Sequence, residues 1–185
     1  MKKMTFIAAL LVVASLAGGV SVAHAEQSSS SPLSDSHLDR IRANCGNAQQ
    51  TLNQLHVNDA RLYVNRNQAY FSISDKLMAR LNSRLALNRL DGSSLVTSAA
   101  SFDKSLNDFR TAYRQYETHL ASILRIDCQK QPGSFYDAVV KAQGLRADVA
   151  LKVQDLHHYI NEYDQSFGAF KAGFLAPQKE KDTPS

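Results

Sequence analysis

Proline is nearly missing from the body of this chain. Of 185 residues only four are proline, Pro32, Pro132, Pro177 and Pro184, and each falls where a helix would start or stop. Glycine is scarce too, and after residue 25 its copies, Gly46, Gly92, Gly133, Gly144, Gly168 and Gly173, never cluster into a loop able to cradle a phosphate. The chain has no HExxH, GxSxG, P-loop, dinucleotide glycine fingerprint or CxxC. These absences argue against an enzyme and imply no cofactor.

Charge of one sign is lacking as well. The 21 basic residues exceed the 17 acidic ones by four, but Lys2 and Lys3 belong to a leader, and without them the excess is two. So weak a charge, spread along the chain, supplies no concentrated basic face for nucleic acid. The leader reads MKKMTFIAALLVVASLAGGVSVAHA: two lysines, an apolar run from Phe6 to about Ala17, and a small-residue exit at Ala23-His24-Ala25. This is a secretory signal peptide over residues 1–25, and no cysteine follows the cut to carry a lipid. No later apolar run is long enough for a membrane span, so the mature chain is expected to be exported, to the periplasm, envelope or exterior, with no integral membrane segment. Composition then divides it into a polar lead (26–33), one domain (34–174) and a polar tail (175–185).

What is present is helical periodicity. A first helix opens at Pro32-Leu33-Ser34, where Ser34 is placed to cap and Leu33 to staple Leu38, and it is expected to stop at Asp91-Gly92. Its apolar seam runs Leu38, Ile41, Cys45, Ala48, Leu52, Leu55, Asp59, Leu62, Arg66, Ala69, Ile73 in alternating steps of three and four, which is heptad spacing. Past Ile73 the steps become fours, through Leu77, Leu81 and Leu85, a stutter that predicts a bend or a break, with Ser72 and Asp75 able to cap a restart. The second helix, about Ser94 to Asp127, carries Ala99, Phe102, Leu106, Phe109, Tyr113, Tyr116, Leu120 and Ile123. The third opens at Ser134, with Asp137 completing a capping box, and carries Phe135, Ala138, Ala142, Leu145, Val149, Leu156, Tyr159, Tyr163 and Phe170. Beside that seam stands a column spaced by sevens, Val139, Val153, Ile160, Phe167, Phe174, broken once at Arg146. A stripe that wide faces two partners. The expected fold is all-α, an elongated three-helix antiparallel bundle or coiled coil with a first helix that is bent or broken.

Folding the first two helices about residue 93 or 94 sets Asp59 opposite Asp127 and Arg66 opposite Leu120, and folding the next pair brings Lys141, Gln143 and Arg146 to the same end. A polar core layer of Asp59, Arg66 and Asp127, with His119, Arg125 and Lys141 nearby, is the result. It reads first as a charge-paired fastening that fixes helix register, and alternatively as a small ligand pocket. Lys76, Arg80 and Arg84 form a basic stripe, and the same construction offers them Asp103 and Asp108 as intramolecular partners. Five histidines follow the leader, and only His158, one turn from Glu162, invites a metal; a third ligand is not visible, so no metal site is expected.

Cys45 and Cys128 are an even pair in an exported chain, which favours a disulfide. The simple hairpin objects: it sets Cys128 level with residue 59, fourteen positions from Cys45, or roughly 21 Å along a helix, against the ~7 Å that a bridge tolerates. An intrachain bond with a bent or interrupted first helix is the favoured reading, and an intermolecular bond and two free thiols stay open.

A signal peptide, an early cysteine at 45, a long helix ended by Asp91-Gly92, an aromatic second helix and a cysteine just past it at 128 together resemble a loose group of exported coiled-coil proteins of reduced-genome candidate-phylum bacteria. That resemblance spans most of the mature chain and implies an all-helical fold with paired cysteines; it implies no activity. The functional expectation is a non-enzymatic envelope or surface protein that binds a protein partner, with self-association left open. A holdase-like periplasmic chaperone is the alternative, which an exposed apolar concavity would favour, and a small-ligand binder at the Asp59 and Arg66 level is the third.

Overall fold

The computed structural model describes residues 33–176. The leader, the rest of the polar lead, and the tail from residue 177 lie outside the described residues. Those described are all-helical: α1 (Asp35–Ser72), a π-helical segment (Ile73–Ala79), α2 (Arg80–Leu87), α3 (Ser93–Ile123) and α4 (Pro132–Leu175). Among them no strand forms, and no helix is long and apolar enough to cross a membrane.

The stutter after Ile73 neither breaks the first helix nor restarts it: helical backbone continues through Ile73–Ala79. Ser72 keeps a helical backbone and makes no cap, and the surplus residue of the four-step pattern is absorbed by widening the turn over Ile73–Ala79. The consequence appears across the contact with α4, which runs parallel to α1. Arg42 meets Gln129 of the connection just before α4, and within α4 Asp59 meets Arg146 and Tyr70 meets His157, each pair 87 apart in sequence. Tyr163 then meets Met78 and Asn82 at separations of 85 and 81. Wide turns carry more residues for the same axial rise, so the first limb runs ahead in residue number.

The first reversal lies earlier than Asp91-Gly92 suggests. Leu87 ends α2, and Arg89 takes the left-handed conformation (φ 56°). The amide of Leu90 donates to the carbonyl of Leu85, and that of Arg89 to Ala86, the paired bonds of a Schellman close with arginine where glycine is usual. Gly92 serves a different need: a Cβ there would stand 2.8 Å from Leu85 Cδ1. Asp91 starts the next helix by accepting the Ser93 amide at 3.0 Å. Facing pairs along the hairpin, Cys45 with Cys128, Gln49 with Ile126, His56 with Glu117, Asp59 with Tyr116, Asn67 with Arg110, Ser74 with Asp103 and Asn82 with Leu95, all centre on about residue 88. A turn about six residues early moves every partner by about twelve. That shift carries Cys128 from beside Asp59 to beside Cys45, where the two stand at disulfide distance, Cα to Cα 5.6 Å.

Other helix ends also differ from expectation. Ser34 makes no side-chain cap; its hydroxyl bonds Ser36 and His37, while its carbonyl accepts the amides of His37 and Leu38. The second long helix stops at Ile123, four residues before Asp127, and α4 starts two residues before Ser134, with Pro132 in its first turn, where the missing amide costs nothing.

Two apolar clusters stack along the helices. One gathers Tyr70, Met78, Leu85, Leu95, Phe102, Leu106, Phe109, Leu156 and Tyr163, the other Cys45, Leu52, Tyr113, Tyr116, Leu120, Ile123, Cys128 and Phe135. In α3 the seam from Phe102 to Ile123 is buried throughout. In α1 it drifts: Leu62 and Ala69 are exposed, and Tyr63 and Tyr70 turn inward instead. Tyr63 stacks on Tyr113 with ring centres 3.9 Å apart, and Tyr70 meets Phe102 and Phe109 edge-on. Broad rings fill the gap between limbs where Leu62 would fall short.

Candidate functional site

The level at Asp59 is a polar cluster built by three helices. Asp59 of α1 accepts two hydrogen bonds from Arg146 of α4, at 2.8 Å from Nε and 3.1 Å from Nη2, and a third at 2.8 Å from the Tyr116 hydroxyl of α3. Its side chain is 12% exposed. Burial alone would raise this carboxyl; the hydrogen bonds from Arg146 and Tyr116, with the charges of Arg146 and Arg66, outweigh it and hold the group below its ordinary value. Tyr116 moves the other way, raised by burial and by donating to a carboxylate. Tyr113 is pushed up to about 12, by burial first and then by the charges of Glu117 and Asp59.

Arg66 makes no hydrogen bond to Asp59. With Asp59, Tyr63, Phe109, Tyr113 and Arg146 it lines a cavity of about 230 Å³. Asp127 stands apart from this level, in the connection between α3 and α4. It accepts the amides of Gln129 and Lys130 and pairs with the Lys130 ammonium at 3.3 Å, contacts that lower its carboxyl. The displacement is the one produced by the early turn. His119, Arg125 and Lys141 lie together on another depression between α3 and α4, where His119 bonds the Ala138 carbonyl at 2.9 Å. Sequence reasoning brought Arg146 to this end without naming it as the partner of Asp59, although one signal marked it: Arg146 is the sole polar member of the seven-spaced column on α4, and that column faces α1.

The opposite end is open. Between the π segment and α2 on one side and α4 on the other runs a groove of about 610 Å³, lined by Ile73, Leu77, Met78, Leu81, Ile160, Tyr163 and Phe167, and by Lys76, Arg80, Arg84 and Asp164. Met78 and Tyr163 form a buried floor, while Leu77 (62% exposed) and Phe167 (37%) are its lips. The expected partners of the basic stripe are engaged elsewhere: Asp103 accepts from Ser74, and Asp108 pairs with Lys104 at 2.8 Å. Among the described residues no carboxylate lies within ion-pair distance of Lys76, Arg80 or Arg84. The early turn again explains the change, because it moved the acidic residues of α3 past the stripe.

His158 pairs with Glu162 at 3.2 Å, His157 bonds the Tyr70 hydroxyl at 3.1 Å, and no group of three metal-ligating side chains gathers among the described residues. Comparison with protein-family models, with curated proteins and with solved structures finds no match to this chain.

Proposed function

We propose that this chain is an exported, non-enzymatic protein, an elongated antiparallel three-helix bundle that acts in the envelope or at the surface by binding a protein partner. The groove between the π segment with α2 and α4 carries the reading: a concave apolar surface with exposed lips at Leu77 and Phe167 and, along it, cations that have no ion-pair partner among the described residues. A folded chain gains nothing in stability from leaving such a surface open. The Asp59 level supports the same reading from the other side, because a carboxylate holding Arg146 and Tyr116 has little left to offer a reaction. Disulfide distance between Cys45 and Cys128, and the leader at residues 1–25, support export.

The test is a photo-reactive residue at Leu77 in protein exported by its own cells, with one at the exposed Leu151 of α4 as control. A discrete adduct in the envelope fraction from position 77 alone is expected. No adduct, or the same products from both positions, contradicts the proposal.

The concavity also favours the holdase-like reading. In that case the protein suppresses aggregation of many unrelated unfolded chains at near-stoichiometric ratios, and Leu77→Ser weakens the effect. A binder of one partner does not do this.

A further inference from the structure

We infer that the groove receives an acidic amphipathic helix of a protein partner, laid along Ile73–Arg84 with its apolar face on Met78, Leu81 and Tyr163 and its carboxylates against Lys76, Arg80 and Arg84. This rests on the proposed binding role and names the partner's chemistry. Three observations converge on that occupant.

The first is continuity. The seven-spaced column of α4 that packs against the first limb at Val153 and Ile160 runs on into Phe167 and Phe174, and there it emerges, 37% and 62% exposed. The groove is the unfilled extension of a helix–helix contact, so its shape suits a further helix. The second is spacing. Lys76, Arg80 and Arg84 follow one another at intervals of four on a helical wall, and carboxylates one turn apart on a docked helix repeat at the same interval. The third is the charge left over. Among the described residues Asp164 is the one acidic residue lining the groove, against three cations, so they give the cleft an excess of two positive charges.

Other anions fit less well. A single-chain lipid has its charge at one end and would answer one cation of the row. A membrane surface is flat, whereas the apolar floor at Met78 and Tyr163 is recessed. Helix-in-groove docking with a charged rim needs neither compromise.

The experiment titrates three short synthetic helical peptides into the oxidised mature protein, read by fluorescence anisotropy. One carries a leucine face flanked by glutamates one turn apart, a second replaces glutamate by lysine, and a third keeps glutamate but replaces leucine by serine. The first peptide is expected to bind saturably, and the other two at least about tenfold more weakly. Reversing the row in Lys76→Glu/Arg80→Glu/Arg84→Glu should invert the preference between the first two, and Asp164→Asn should tighten the glutamate peptide by about two- to threefold. All four side chains are exposed, and circular dichroism reads whether each variant keeps its helices.

The inference is overturned if the glutamate peptide fails to bind, if it binds the reversed protein equally well, or if the serine peptide matches it, which would mark a general polyanion surface. Binding of phosphatidylglycerol vesicles in place of the peptide would overturn it in favour of a lipid. The photo-reactive residue at Leu77 separates the two levels. A protein adduct from the envelope with no peptide binding removes the acidic helix alone, and no adduct removes the binding role as well.

Discussion

Asp59 and Arg146, 87 residues apart in sequence, meet through two parallel hydrogen bonds of 2.8 and 3.1 Å. The planar fork of arginine is what allows both. Removing it in Arg146→Met leaves a mostly buried carboxylate with the Tyr116 hydroxyl as its remaining donor. Because the arginine is itself half-exposed, the expected cost is about 1 kcal/mol, toward the low end for a lost charged hydrogen bond. Arg146→Lys should recover part of it. Urea melts of the three proteins check the order.

The same carboxylate gives a pH dependence of known sign. Its folded-state value lies below the ordinary 3.8, so its contribution is complete above that value and is lost as the pH falls through and below it. Asp91 and Asp127 shift in the same direction, and the diagnostic quantity is therefore a difference. Asp59→Asn should lower stability at pH 7 and flatten the fall between about pH 4 and pH 2. Parallel acid curves for the two proteins would contradict the assignment.

The cysteine pair closes 83 residues. The chain-entropy model gives about 4.5 kcal/mol for a loop of that size, a large share of a small domain's stability. Oxidised protein should run as a monomer on non-reducing gels, and reduction should lower Tm by many degrees. A reducible dimer, or two freely alkylated thiols in protein from its native compartment, would contradict an intrachain bond.

Much of this fold was legible because its signals are local. The α3 seam could be read from Phe102 to Ile123 because aromatic and aliphatic residues at three and four spacing have one way to be buried together. The stutter at Leu77, Leu81 and Leu85 was legible as an irregularity but not as a π segment, since a bend, a break and a widened turn all reconcile the same spacing. The reversal was misread for a specific reason: Asp91-Gly92 looks like a helix stop, yet the stop is made by Arg89, a residue with no preference for a positive φ. Gly92 is there for its closeness to Leu85. That one error of about six residues moved Asp127 into the Asp59 level, gave Lys76, Arg80 and Arg84 false partners, and set Cys128 fourteen positions from Cys45, so that the expected intrachain bond was thought to need a bent or interrupted first helix.

The turn can be tested directly. Arg89→Gly relieves a left-handed conformation at an exposed arginine and should stabilise by roughly 0.5–1 kcal/mol. Gly92→Ala, which sets a methyl 2.8 Å from Leu85 Cδ1, should destabilise by about 1 to 2 kcal/mol. Were Gly92 a helix-terminating glycine, Arg89→Gly would bring no gain.

The groove is the binding surface proposed for this chain, and amide chemical-shift mapping of the labelled, oxidised protein during titration with the glutamate-bearing helical peptide tests that proposal most directly. Perturbations should cluster on residues 73–84 and 160–167, saturate together, and spare Asp59, Tyr63 and Tyr113. Shifts centred on the cavity beside Asp59 and Arg66, or none at saturating peptide, would contradict the account.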